Sequence, residues 1–166
     1  MLWRVTTKTC DPKALDFCKL WLSRYDYDSL RQIAIRRGKL GYGIYGWCDY
    51  DGTYARPYSL TLHIPGPFPY NAVTKEPPVY LPIDIDKLPS GQVVASHNVS
   101  KKNKVVKVKL ETHTVLETAA HALIFLFGHE LHHYLSAEEQ VPTQDTEKNA
   151  DEYGNLLLDE YSNFVQ

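Results

Sequence analysis

The longest unbroken apolar run of the chain is 122–127, and together with Leu116, Ala119 and Ala120 before it, it leaves almost no wet side to a helix. That pattern predicts a buried helix over about residues 115–136, opened by a Thr114-x-x-Glu117 capping box. A second helix is expected from Asp11, a side-chain cap followed by Pro12, to about Ser23, with Ala14, Leu15, Phe17, Cys18, Trp21 and Leu22 on its apolar side. A third starts where Asp145 or Thr146 can cap it and runs to about Phe164. On that helix Glu147, Ala150, Asp151, Gly154 and Leu158 share one face, and a glycine in mid-helix, which costs about 1 kcal/mol, implies a packing reason.

Elsewhere the period shortens to two. Val106, Val108 and Leu110 alternate with Lys107 and Lys109, so residues 92–99 and 104–110 are expected to form a β-hairpin around 100–103 with one buried and one wet face. Residues 31–37, 41–48 and 58–64 read as further short strands. Gly41, Gly43 and Gly46 lack the Gly-Lys-Ser/Thr ending of a phosphate loop and are assigned to turn and bulge positions. Eight of the ten prolines fall between Pro57 and Pro89, which predicts an extended loop broken by at most one short strand, over 79–83. Such a loop suits a cleft wall or a plain surface connection equally. The expected fold class is α+β: a small twisted sheet packed on the buried helix, with a further helix at the C-terminal end.

Size and charge narrow the function only slightly. At 166 residues and 19.0 kDa, residues 1–166 are expected to make a single domain. A net charge of -2 gives no overall pull toward nucleic acid or anionic membrane. Lys101, Lys102, Lys104, Lys107 and Lys109 form the one basic cluster, without interleaved aromatic residues, and read as a solvated strand face; nucleic acid is not expected as a partner. Three cysteines without a paired framework, and no apolar leader in the first residues, make the cytoplasm the expected compartment. The apolar run at 122–127 is far short of the ~20 residues of a membrane span, so no membrane association is expected.

The chemistry sits at the end of the buried helix. Residues 129–133 read His-Glu-Leu-His-His, which places His129 and His133 four apart with Glu130 between them. Residues i and i+4 stand about 40° apart around a helix, so both imidazoles can reach one ion, while Glu130 can take a proton from a water on it. This is the spacing of zinc hydrolases. Two imidazoles and a carboxylate buried there without partners would be costly, and a cation satisfies all three. A third protein ligand must come from elsewhere. The metzincin pattern is excluded, because Ser136 and Glu139 stand where it needs glycine and histidine.

His-Glu-x-x-His on one helix followed by Glu147-x-x-x-Asp151 on the next resembles the gluzincin arrangement of small zincin metallopeptidases. The stretch Glu147-Lys-Asn-Ala-Asp-Glu-Tyr-Gly is similar to a segment of the ImmA/IrrE-type metallopeptidases, and the likeness covers about the last 50 residues. The succession of helix, strands and hairpin before the active-site helix is also similar to SprT-like minimal zincins. The resemblance implies a zincin-like fold with Zn2+ held by His129, His133 and Glu147, and with Asp151 orienting His129 through its other ring nitrogen.

The expected activity is that of a zinc-dependent peptidase acting on a peptide or protein substrate, with Glu130 as general base. Two alternatives are carried with it. One is a deformylase-like amidase in which Cys48 replaces Glu147 as a ligand, and the other is a non-catalytic module built on the same scaffold. His132 is expected to be packed or partly exposed, and His121 to be a hydrogen-bonded core residue rather than a cleft residue. Tyr134 and Tyr153 are candidate oxyanion donors.

Overall fold

The computed structural model describes residues 1–6, 10–38, 44–64, 66–75, 79–82, 93–94, 99–100 and 105–166. The chain, expected to form one domain, gathers into two compact units: Met1–Tyr70 with Val115–Gln166, and Asn71–Thr114. The order of elements is β1 (Leu2–Val5), α1 (Pro12–Leu22), β2 (Leu30–Arg37), β3 (Tyr45–Tyr50), β4 (Tyr58–Ile64), β5 (Tyr70–Lys75), β6 (Val79–Pro82), β7 (Val93–Val94), β8 (Val99–Ser100), β9 (Val105–Leu116), α2 (Ala119–Ala137) and α3 (Glu147–Phe164). The class is α+β, with a small mixed sheet and three helices in the larger unit.

In that unit four strands run in the order β1-β2-β4-β3; β1, β2 and β4 are parallel and β3 is antiparallel to β4. Parallel neighbours need a long crossover, and α1 supplies it between β1 and β2. Alternation puts Ile33 and Ile35 of β2 and Leu60, Leu62 and Ile64 of β4 on one buried face. Helix α2 packs against β3 and β4, and every residue from Ala122 to Gly128 is buried. The second unit centres on β9, to which β5, β6, β7 and β8 are hydrogen-bonded. Val99 opposite Val106 and Val93 opposite Leu110 agree with the expected hairpin, while Ser100, expected in its turn, pairs with Val105. Lys101, Lys102 and Lys104 lie outside the described residues, as do Gly41 and Gly43.

The caps explain where the helices begin. Asp11 Oδ1 accepts from the Lys13 N–H at 2.8 Å, and Pro12 occupies the first turn of α1. Thr146 Oγ1 accepts from Asn149 N–H at 3.2 Å, so Thr146 caps α3 and leaves Asp145 available for another role. Helix α2 corrects the sequence reading: it is capped by Thr118, which accepts from His121 N–H at 3.2 Å, and it begins at Ala119. The Thr114-x-x-Glu117 box is not used, because Thr114, Val115 and Leu116 continue the extended run of β9. Two further corrections concern strands. Gly46 is no bulge, since β3 holds an unbroken register with β4 on either side of it. The proline-rich region contains β5 as well as β6, one strand more than expected.

The packing reason for Gly154 is α2. A Cβ at Gly128 would lie 2.9 Å from the Gly154 Cα, and one at Gly154 would lie 2.8 Å from the Phe125 carbonyl oxygen. Two facing glycines let the helices meet at backbone distance. That contact sets the end of α3 carrying Glu147 beside the histidine end of α2.

Candidate metal centre

His129 and His133 follow the apolar run 122–127 of α2 within two turns, and each ring nitrogen has a defined neighbour. His129 Nδ1 lies 2.8 Å from Asp151 Oδ1 on α3, and His133 Nδ1 lies 2.6 Å from Asp145 Oδ1 just before α3. A carboxylate only accepts, so each Nδ1 donates and each neutral ring is left with a bare lone pair on Nε2. The two Nε2 atoms face one another at 3.2 Å. Glu147 completes the convergence, with Oε2 at 3.3 Å from His129 Nε2 and Oε1 at 3.7 Å from His133 Nε2.

Lone pairs and carboxylate oxygens directed at one point repel unless a proton or a cation stands between them. His129, His133 and Glu147 accordingly form a group that could hold a metal ion. His129's pKa is pulled down by burial, but the Asp151 hydrogen bond and the charges of Glu130, Asp151 and Glu147 outweigh this and leave it raised. The site therefore favours positive charge. Glu147 is the most exposed of the three, with 81% of its side chain accessible against 14% for His129 and 19% for His133. Its place is set by the start of α3 rather than by packing of its own side chain.

Glu130 is buried, at 3% exposure, and burial is the main reason its carboxyl is pushed up to about 7; the His129 and His133 charges lower it and those of Glu147 and Asp49 raise it. It lines the same cleft, of about 380 Å³, as the two histidines and Glu147. Gly46, Trp47 and Cys48 of β3, with Tyr58, Ala137 and Asp145, complete the lining of the cleft. Cys48 does not belong to either group of potential ligands among the described residues. Burial, followed by the charges of Glu130, Asp145 and Asp49, pushes its thiol up to about 12, which opposes the thiolate a metal ligand needs.

A second cluster, His132 with His133 and Asp145, has ligand chemistry; two of its ring nitrogens are engaged, while the buried His132 Nδ1 has no hydrogen-bond partner. His132 Nε2 lies 2.8 Å from Thr143 Oγ1, while His133 Nδ1 is taken by Asp145. His132 is buried, as the packed alternative for it anticipated, and burial lowers its pKa, with the neighbouring His133 adding to the effect. The two candidate oxyanion tyrosines are occupied elsewhere. Tyr134 donates to the Asp26 carbonyl at 3.0 Å, and Tyr153 OH lies 3.0 Å from Trp21 Nε1 and 2.6 Å from Tyr25 OH. His121, expected in the core, is partly exposed beside Tyr161, with ring centroids 6.4 Å apart, and is not among the residues lining the cleft.

Three residues at the centre escaped the sequence reading in their roles: Asp145, which entered only as a possible cap, Gly46, which entered only as a bulge, and Tyr58. Asp145 carried a faint signal, since with Thr146 available as the cap a neighbouring carboxylate can turn elsewhere. Tyr58 carried none among twelve tyrosines.

No model of a known protein family, no curated protein and no solved structure matches the chain.

Proposed function

We propose that the chain is a zinc-dependent peptidase with zincin-like packing of α2 and α3 on the sheet. The observation that carries this reading is the convergence of two imidazole Nε2 atoms and the Glu147 carboxylate beside a buried carboxylate, Glu130, that is not one of the three. Two ligand atoms on a tetrahedral zinc ion, at about 2.0–2.1 Å each, stand roughly 3.3–3.4 Å apart. The separations of 3.2 and 3.3 Å suit that ion, and 3.7 Å between His133 and Glu147 asks for only a small closure. A structural site would fill all four positions and has no use for a base, so three protein ligands with Glu130 alongside support catalysis over a structural staple.

When bound, zinc supplies Lewis acidity, which polarises a carbonyl and makes a water easier to deprotonate. The chain's own residues do the rest. Glu130 takes a proton from the attacking water at its carboxylate and passes it to the leaving amine nitrogen. Asp151 and Asp145 fix which ring nitrogen of each histidine carries the proton and hold both rings in orientation. Among the described residues β3 is the outer strand of its sheet, and it lines the cleft, so a peptide can extend the sheet there by pairing with its backbone edge. The raised Cys48 thiol speaks against the deformylase-like alternative.

The test is to incubate the zinc-loaded protein with a diverse peptide library and identify new termini by mass spectrometry. New termini made by the wild type and absent with Glu130→Gln are the expected result. No cleavage by the wild type, or the same termini with Glu130→Gln, contradicts the peptidase reading.

A further inference from the structure

Gly46 is the second residue of β3, with Tyr45, Gly46 and Trp47 paired in unbroken register with His63, Leu62 and Thr61. A glycine there weakens a strand, having no side chain to pack and more chain entropy to lose. None of the usual compensations applies: the register has no bulge, and the backbone is not in the left-handed region that glycine alone tolerates well. What requires glycine is the close approach of two neighbours, the Glu130 side chain and the Thr61 backbone carbonyl. A Cβ built on Gly46 would lie 2.7 Å from Glu130 Oε1 and 2.9 Å from Glu130 Cγ, distances that real Cβ atoms essentially never show. The Thr61 carbonyl oxygen, at 2.9 Å, closes the other side. Glu130 is itself buried against this surface and cannot swing into solvent without giving up its place in the cleft.

We propose that Gly46 is a positioning residue for Glu130, its missing side chain being the recess in which that carboxylate rests against the strand. The recess holds the carboxylate against β3 in the cleft that His129, His133 and Glu147 also line. Any side chain at position 46 drives it toward them or out of reach of the substrate. The importance of this for catalysis rests on the proposed role of Glu130 as base, whereas the contact itself does not.

The experiment uses the full chain as wild type, Gly46→Ala, Glu130→Ala and the double variant. In thermal melting of the metal-free proteins, Gly46→Ala is expected to lower the melting temperature by roughly 3–10 °C in the wild-type background, the usual scale for an overfilled site. In the Glu130→Ala background the loss should be smaller, the remainder belonging to Thr61. Equal losses in both backgrounds overturn the proposal. Should Gly46→Ala fail to fold, the pair Gly46→Ala/Glu130→Asp, one methylene shorter, is expected to fold; failure of that pair and of the double variant with Glu130→Ala is equally decisive against it. Positioning is read separately from the visible spectrum of the cobalt(II)-loaded proteins. Gly46→Ala should change the wild-type spectrum and leave the Glu130→Ala spectrum unchanged, and an unchanged wild-type spectrum overturns the positioning role. A chain that binds no cobalt sinks the metal reading, and the melting comparison then decides the Gly46 contact on its own.

Discussion

Replacing Gly154 by alanine sets two well-known effects against each other. In an exposed helix the change stabilises by about 1 kcal/mol, because alanine loses less chain entropy. Here the added Cβ would sit 2.8 Å from the Phe125 carbonyl oxygen, which is 0.6 Å inside the 3.4 Å at which ordinary contact begins. It would also meet the Phe125 ring at 3.0 and 3.1 Å. The carbonyl belongs to the backbone of α2 and the ring is buried at 4% exposure, so neither can yield cheaply and the helices must separate. Overfilling of this kind costs about 1–3 kcal/mol, which exceeds the helical gain and leaves a net loss of up to ~2 kcal/mol. For a chain of this size that lowers the melting temperature by up to about 8 °C. Separation also moves Glu147, two turns earlier on α3, away from His129 and His133, so zinc affinity should fall with stability. Urea or thermal unfolding of the metal-free protein gives the first quantity, and competition with a calibrated chelator gives the second. A Gly154→Ala variant as stable as the wild type, or more so, with undiminished zinc affinity would refute the close helix contact and its role in placing Glu147.

Three other outcomes are expected. Glu130's carboxyl is raised to about 7 in the metal-free fold, so between about pH 4.5 and 7 the folded chain holds a proton that the unfolded chain has released; stability then falls as pH rises, by up to about 3 kcal/mol. Metal-free Glu130→Gln should lack that component and unfold at higher denaturant than the wild type at pH 8, and an equal or lower midpoint would count against the burial of an ionisable group there. Chelator competition should rank the acidic residues, with Glu147→Ala the most damaging to zinc affinity and Asp151→Ala and Asp145→Ala each weakening it by about 10- to 100-fold, as for residues that only orient a ligand; no loss in either aspartate variant removes their orienting role. With its thiol pushed up to about 12 in place of an ordinary 9, metal-free Cys48 should show roughly 10³ less thiolate at pH 8 and resist iodoacetamide accordingly, and rapid labelling there would reopen it as a ligand.

Much of this arrangement is written in local spacing, which is why part of it can be read without a structure. His129, Glu130 and His133 are neighbours on any helix, and Glu147 and Asp151 stand one turn apart on the next, so their shared faces follow from periodicity alone. Asp11 and Thr146 cap their helices from within four residues. The start of α2 was harder, since Thr114 and Thr118 offer the same capping chemistry and Val115 suits a strand as well as it suits a helix. Strand β1 has only four residues, largely exposed and without a clear alternation, and forms by pairing in parallel with β2 across the whole of α1. Strand β5 is hidden by surrounding prolines, although none falls within Tyr70–Lys75. Gly46, Tyr58 and Asp145 take their roles from residues distant in sequence or from the turn before α3, and no periodicity encodes those contacts.

The peptidase reading of the cleft depends on His129, His133 and Glu147 holding one zinc ion per chain. Elemental analysis of the wild-type protein beside His129→Ala and His133→Ala, purified identically without added metal or chelator, decides whether they do. Close to one zinc per wild-type chain and little in either variant is the expected result. A wild-type chain without zinc even after exposure to excess zinc and removal of the unbound ion, or zinc content undiminished in both variants, would show that these residues do not form a zinc site.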